Sequence, residues 1–147
     1  MGIAFLLTQL GTSAAEEFAS ALTEHELTAP LVGMLHALRA RPGISQQELA
    51  THLGMVPSRI VAFVDDLEAR GWVARTRDQA DRRVNLLTLT PSGEEALGVV
   101  AGVAKAHERR VTAALDDDER ATLAALLRKL ADARGLTPGV HPGYRRL

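Results

Sequence analysis

The chain has 147 residues, of which 46% are hydrophobic, 24% are charged and only 3% are aromatic. This composition is typical of one globular domain with an adequate core. The absence of cysteine excludes disulfide scaffolds, thiolate metal sites and thiol-based redox sensing. The formal net charge is −1, yet six arginines fall between Arg59 and Arg83, so a basic edge on a nearly neutral molecule is compatible with nucleic acid.

The beginning of the chain lacks a basic segment followed by an unbroken apolar stretch, so we expect no secretory signal. No apolar run approaches the length needed to cross a bilayer. The sequence therefore predicts a cytoplasmic protein with no membrane partner.

Two helices are predicted in the first part of the chain. Residues 3–22 have apolar side chains near helical spacing. Thr28 is a candidate N-cap for the second helix, which has Leu31, Leu35 and Leu38 on one face and ends before residues 42–43, a Pro-Gly pair.

The next segment predicts two short helices joined by a tight turn. Residues 45–48, Ser-Gln-Gln-Glu, form a capping box, because the Ser hydroxyl and the Glu carboxylate can each accept the other residue's backbone N–H. Gly54 can adopt the left-handed conformation that ends this helix. A further helix is predicted over residues 58–70, with Ile60, Val64 and Leu67 spaced for burial.

The period then changes to that of strands. Residues 72–77 and 84–90 predict a hairpin whose tip is the polar loop 78–83. Thr90 and Pro91 suit the start of a long helix that reaches about Leu115. Residues 116–118 cap a last helix, with Leu123, Leu126, Leu127 and Leu130 in an apolar stripe. The segment from residue 135 onward, rich in Gly, Pro and Arg, predicts a loosely held tail, whose packing on a partner subunit stays open.

This order predicts a mainly α fold with a small β wing, a winged helix-turn-helix flanked by helices. We expect one domain over residues 1–147, with a DNA-binding lobe at 28–91. Residues 1–27 and 92–147 form a dimerisation region, because their amphipathic helices cannot bury themselves in a monomer.

A winged helix-turn-helix suits DNA because its second helix fits the major groove and presents its first residues to base edges. The wing arginines have no role in a core and can enter a narrow minor groove. Asp81 would repel phosphate if unpaired, so we expect it to orient Arg83 by an ion pair. The predicted DNA-contacting residues are Ser45, Gln46, Pro57, Ser58, Arg59, Val61, Ala62, Arg75, Arg77, Asp81, Arg82 and Arg83.

Gly54, residues 67–75 (LEARGWVAR), residues 81–83 (DRR) and residues 87–93 (LTLTPSG) together resemble the multiple antibiotic resistance regulator (MarR) family over nearly the whole chain. The resemblance implies a homodimer with interlocked terminal helices, which represses transcription at a palindromic operator. It places the family's wing arginine at Arg83 and its acidic partner at Asp81.

The resemblance also implies a pocket for a small aromatic or phenolic acid between the dimerisation helices and the DNA-binding lobe. By position, His36, Arg39, Phe63 and His107 are the predicted ligand-binding residues. No cofactor is required, and no metal site is expected, because no His-x-x-x-His spacing is present.

Two alternatives remain open at this point. An adaptor that binds proteins through a winged helix fits the near-neutral charge and the acidic pair Asp65 and Asp66 on the recognition helix. An enzyme is not expected, since no nucleophile, phosphate-binding loop or metal triad accompanies the acidic pairs.

Overall fold

A computed structural model describes residues 2–146, without the side chain of residue 146. The helices are α1 (Ile3–Thr23), α2 (Ala29–Ala40), α3 (Gln46–Leu53), α4 (Pro57–Ala69), α5 (Pro91–Val111) and α6 (Asp117–Ala133), and the strands are β1 (Ile44–Ser45), β2 (Val73–Arg77) and β3 (Asn85–Leu89). A 3-10 turn follows at Pro142–Arg146. The predicted fold class, mainly α with a small β wing, is confirmed.

The chain divides into two compact units. The helical unit comprises Met1–Ala29 and Val100–Leu136, and the winged unit comprises Pro30–Val99 and Thr137–Leu147. Residues 137–147, predicted to be part of the dimerisation region, group with the winged unit in the structure. Packing of Tyr144 on α2, described below, is the physical reason for this difference.

Local capping signals determine where the helices of the winged unit begin and end. The Ser45 hydroxyl accepts the Glu48 backbone N–H at 3.2 Å, and the Glu48 carboxylate accepts the Ser45 backbone N–H at 2.9 Å. Gly54 ends α3 with a φ of 68°. Helix α4 begins at Pro57, one residue earlier than predicted, because proline is well suited to the first helical position.

The sheet has three strands rather than the two predicted. Its order is β1-β3-β2, with both pairs antiparallel and with Ile44 opposite Leu87. Strand β1 has only two residues, so it gave no alternating pattern in the sequence. It ties the start of α3 to the wing, because Ser45 is both the last residue of β1 and the N-cap of α3.

The core of the winged unit is aliphatic and is formed by α2, α3, α4, the wing and the first part of α5. The side chains of Ile60, Val64 and Leu67 are fully buried on one face of α4, as predicted. The other fully buried side chains of this core are those of Met34, Leu35, Leu38, Leu49, Leu53, Leu87 and Leu97. The opposite face of α4 is thereby left to solvent.

In the helical unit, α1 and α6 present apolar side chains to solvent. The predicted stripe on α6 is exposed, with Leu126 56% accessible. Helix α5 ends at Val111 and not near Leu115, and a capping box between Asp116 and Glu119 then begins α6. No helix among residues 2–146 is long and apolar enough to cross a membrane.

Candidate nucleic-acid interface

The predicted DNA-contacting elements converge on one groove of about 400 Å³ in the winged unit. The starts of α3 and α4 form its helical walls. The wall on the wing side is formed by the end of the wing loop and the first residue of β3. Its lining residues are Gln46, Gln47, Pro57, Ser58, Val61, Arg83, Val84 and Asn85. The structure thus brings together five residues predicted from the sequence, namely Gln46, Pro57, Ser58, Val61 and Arg83.

Helix α4 presents its polar and small side chains to solvent over its first two turns. Ser58, Arg59 and Ala62 are exposed, and Val61 is 43% accessible. No side chain in the described part of the chain pairs with the Arg59 guanidinium. These residues are therefore available to a partner that fits against the start of the helix.

The wing tip is held by its own hydrogen bonds. The Asp78 backbone N–H donates to the Val84 carbonyl at 3.0 Å, and the Val84 N–H donates to the Asp81 carbonyl at 2.9 Å. The Arg77 guanidinium donates to the Arg82 carbonyl at 2.7 Å. Arg77, predicted to contact DNA, thus braces the backbone that carries Arg82, whose side chain is exposed.

The predicted ion pair between Asp81 and Arg83 is confirmed. The Asp81 carboxylate accepts the Arg83 backbone N–H at 3.0 Å and the guanidinium Nε at 3.2 Å. The side-chain hydrogen bond from Arg83, followed by the backbone bond, holds the pKa of Asp81 below its usual value. Because 92% of the Arg83 side chain remains accessible, its unused donors face solvent.

Arg75, predicted to contact DNA, is paired with two carboxylates of α4 that the sequence did not predict as its partners. Its guanidinium lies 2.6 Å from the Asp65 carboxylate and 3.2 Å from that of Glu68, and its side chain is 22% exposed. Asp66 is paired with Arg70 at 2.8 Å. The acidic pair on α4 is thus engaged by arginines of the same unit, and Arg75 links β2 to α4.

The start of α3 contributes mainly through its amide side chains. Ser45, predicted to contact DNA, uses its hydroxyl oxygen to accept the Glu48 N–H. The Gln46 Oε1 atom is buried in the groove wall, and none of the residues that the structure describes donates a hydrogen bond to it. Gln47 and Asn85 also line the groove but were not predicted, because single amides carry no pattern in a sequence. Amide groups there supply both donors and acceptors.

The predicted ligand-binding residues have separate surroundings. His36 and Arg39 are exposed on α2, and burial, with repulsion from Arg39 as the smaller cause, lowers the pKa of His36. Phe63 on α4 is half-buried. His107 on α5 is only 16% exposed and lies 3.8 Å from Glu17, and its ring centroid is 5.2 Å from that of Phe18. A shared ligand pocket for these four residues stays a prediction.

Comparisons with known proteins agree with this geometry. The model of the MarR family matches residues 25–84. A relative from Thauera aromatica, assigned as a transcriptional regulatory protein for the hcr operon, is 34% identical over 92% of this chain and 82% of its own length. The chain belongs to the MarR family.

Two solved structures add to this family assignment. The transcriptional repressor CouR, bound to a 23-mer DNA duplex, has a TM-score of 0.76 and 34% identity over 88% of this MarR-family chain and 92% of its own. Bordetella bronchiseptica BpsR, described with regulation of its DNA binding by 6-hydroxynicotinic acid, has a TM-score of 0.72 and 27% identity over 89% and 94% of the two chains.

Proposed function

We propose that this MarR-family protein is a sequence-specific DNA-binding repressor that acts as a homodimer on a palindromic operator. The observation that carries the proposal is the groove in which the starts of α3 and α4 meet the wing, with Ser58 and Arg83 among its lining residues. Likeness to CouR, a repressor seen with a DNA duplex, supports the same function.

The groove suggests how each side chain would be used. With α4 in the major groove, Arg59 can donate two hydrogen bonds to a guanine, and Val61 can contact a thymine methyl group. Arg82 and Arg83 on the wing suit the negative potential of a narrow minor groove. Phosphate contacts from Ser58 and from the amide side chains at the start of α3 would fix the position of the protein along the DNA.

The homodimer is proposed from the apolar surface of the helical unit. Helices α1 and α6 line an apolar groove of about 430 Å³ that contains Ile3, Leu7, Leu127 and Leu130. Stable monomers rarely expose so many neighbouring large aliphatic side chains. A second copy of the chain would cover them and set the two recognition helices about 34 Å apart, one turn of B-DNA.

We further propose control by a small aromatic or phenolic acid, with His36, Arg39, Phe63 and His107 as the residues to test. The regulation of BpsR by 6-hydroxynicotinic acid, a heteroaromatic acid, supports this class. A ligand that favours a subunit arrangement with another helix spacing would lower operator affinity. Operator binding measured with a panel of such acids tests this, and insensitivity to the whole panel would refute it.

A protein–protein adaptor is the alternative. The near-neutral net charge and the acidic pair Asp65 and Asp66 favour it, but both carboxylates are paired with arginines of the same unit. We also propose that the chain has no catalytic activity and acts in the cytoplasm, where its operator would lie.

The test compares wild type with Arg82→Ala/Arg83→Ala in DNA binding at several salt concentrations. The matched control is Arg128→Ala/Lys129→Ala, which removes the same charge from exposed positions of α6. We expect the wing variant, but not the control, to lose roughly tenfold or more in operator affinity. The operator is selected from genomic fragments. A wild-type protein that prefers no fragment over random DNA would refute the repressor and favour the adaptor.

A further inference from the structure

The segment that follows α6 returns to the winged unit and is anchored there by one aromatic ring. Tyr144 is only 8% exposed and packs on Gly33 in the middle of α2. A Cβ atom at Gly33 would lie 2.8 Å from both Cε2 and the hydroxyl oxygen of Tyr144. Because Gly33 has no side chain, it leaves a notch in the surface of α2, and the ring of Tyr144 occupies this notch.

The next residue of the segment lies at the turn of the helix-turn-helix. A Cβ atom at Gly54 would be 2.9 Å from Cγ and 3.3 Å from Nε of Arg145. Gly54 stands three residues before Pro57, the first residue of α4, and three residues span at most about 11 Å. Docking of Tyr144 thus holds the Arg145 guanidinium close to the start of the recognition helix.

The charge of the winged unit gives this arginine its significance. Residues 30–99 contain eight arginines, no lysine and eight acidic residues, so this part of the unit has no formal net charge with histidine neutral. Two of its arginines, Arg70 and Arg75, are already paired with carboxylates of α4. Residues 137–147 add two arginines and no acidic residue, so this segment supplies the whole net positive charge of the unit.

Arg145 itself is exposed, and no carboxylate pairs with it among the side chains that the structure describes. DNA affinity depends chiefly on positive side chains that replace the counterions of the phosphates. An unpaired arginine held beside the recognition helix is well placed for that role.

We propose that Arg145 is a further DNA-contacting residue, which binds the phosphodiester backbone beside the bases faced by α4, and that Tyr144 in the Gly33 notch positions it. This inference rests on the proposed function. A phosphate contact carries no sequence information, so Arg145 contributes equally to operator and random DNA.

The first experiment compares wild type, Arg145→Gln and the charge-matched Arg128→Gln on operator and random duplexes across a salt series. We expect Arg145→Gln to weaken both complexes several-fold and to reduce the slope of log affinity against log salt by about 0.9 per subunit. Arg128→Gln should change neither. If the Arg145→Gln slope equals that of Arg128→Gln while wild type still selects its operator, this inference fails and the proposed function stands. If wild type selects no operator, the proposed function fails as well.

The second experiment tests the anchor from both sides. Gly33→Ala removes the notch while improving helix propensity, and Tyr144→Ala removes the ring. Both should reproduce the Arg145→Gln slope, and Arg145→Gln should then add nothing to Gly33→Ala. Tyr144→Phe keeps the ring, so its salt slope should lie closer to that of wild type than the slope of Tyr144→Ala does. The positioning role would be overturned if adding Arg145→Gln to Gly33→Ala reduced the salt slope by as much as Arg145→Gln reduces it in wild type.

Docking itself has an independent readout, because Tyr144 is the only tyrosine of the chain. Burial raises the pKa of Tyr144 above its usual value of 10.0. Ultraviolet titration should therefore show ionisation at lower pH in Gly33→Ala than in wild type. Equal midpoints with an unchanged salt slope would show that Gly33→Ala does not release the ring, and the positioning role of the notch would be refuted.

Discussion

Arg75 of β2 and Asp65 of α4 are joined by a hydrogen bond of 2.6 Å between a guanidinium nitrogen and a carboxylate oxygen. Glu68, one turn further along α4, approaches the same guanidinium at 3.2 Å. The arginine therefore fixes the wing to the recognition helix and cancels negative charge on that helix. Both effects act on the helix and the wing that line the groove.

This relationship predicts that Arg75→Gln acts on stability and not on phosphate binding. We expect a loss of about 0.5–1 kcal/mol in the free energy of unfolding, as for a partly exposed ion-pair network. The salt slope of DNA binding should stay unchanged. Arg59→Gln is the matched comparison and should reverse the pattern, with a smaller slope and unchanged stability. Chemical denaturation and salt-dependent binding measure the two quantities, and a slope reduced as much by Arg75→Gln as by Arg59→Gln would contradict the assignment.

Gly93 is predicted to be essential where the wing meets α5. Its backbone N–H donates to the Thr90 hydroxyl at 3.1 Å, and a Cβ atom there would collide with the Trp72 carbonyl oxygen and lie 3.0 Å from Leu89 Cδ2. Gly93→Ala should destabilise the protein by roughly 2 kcal/mol or more, since the obstacle is backbone. Gly98→Ala in the same helix meets nothing within 4 Å and should be neutral or stabilising by up to about 1 kcal/mol. Equal melting temperatures for the two variants would contradict this.

The wing ion pair predicts a definite pH response. Because the pKa of Asp81 is lowered in the folded protein, the stabilisation it provides is present above the usual value of 3.8 and is lost as pH falls through the folded pKa. The ion pair, and with it the conformation of the wing tip, should therefore not change between pH 5 and 8. Carbon NMR titration of the Asp81 carboxyl should give a midpoint below 3.8 in wild type, closer to 3.8 in Arg83→Ala. A wild-type midpoint at or above 3.8 would mean that the ion pair does not form in solution.

The features that the sequence predicted well are those determined by near neighbours. The Ser45 and Asp116 capping boxes involve residues three positions apart, and Asp81 and Arg83 are two apart. The features that it missed depend on distant pairs. Strand β1 exists because Ile44 pairs with Leu87, and the tail is positioned by a contact between Tyr144 and Gly33. Nothing in a local pattern distinguishes such partners, so the pairing of Arg75 with Asp65 and Glu68 could not be predicted from the sequence.

The proposed homodimer predicts that one carboxylate in the apolar stripe of α6 separates the subunits. Leu126 is 56% exposed in the single chain, so Leu126→Glu should leave the protomer folded. In a dimer the same carboxylate would be buried without a partner, at a cost of several kcal/mol. Ala125→Glu adds the same charge to an exposed position on the opposite face and is the control. Sedimentation velocity at micromolar concentration should show a monomer for Leu126→Glu and a dimer for Ala125→Glu.

The same variants link assembly to DNA binding. A monomer must bind each half-site independently, so Leu126→Glu should lose at least roughly tenfold in affinity for a palindromic operator, while a single half-site binds both variants alike. A Leu126→Glu protein that remains a dimer would place the interface elsewhere. A monomer with wild-type operator affinity would show that one winged unit is sufficient and would refute the two-site mechanism.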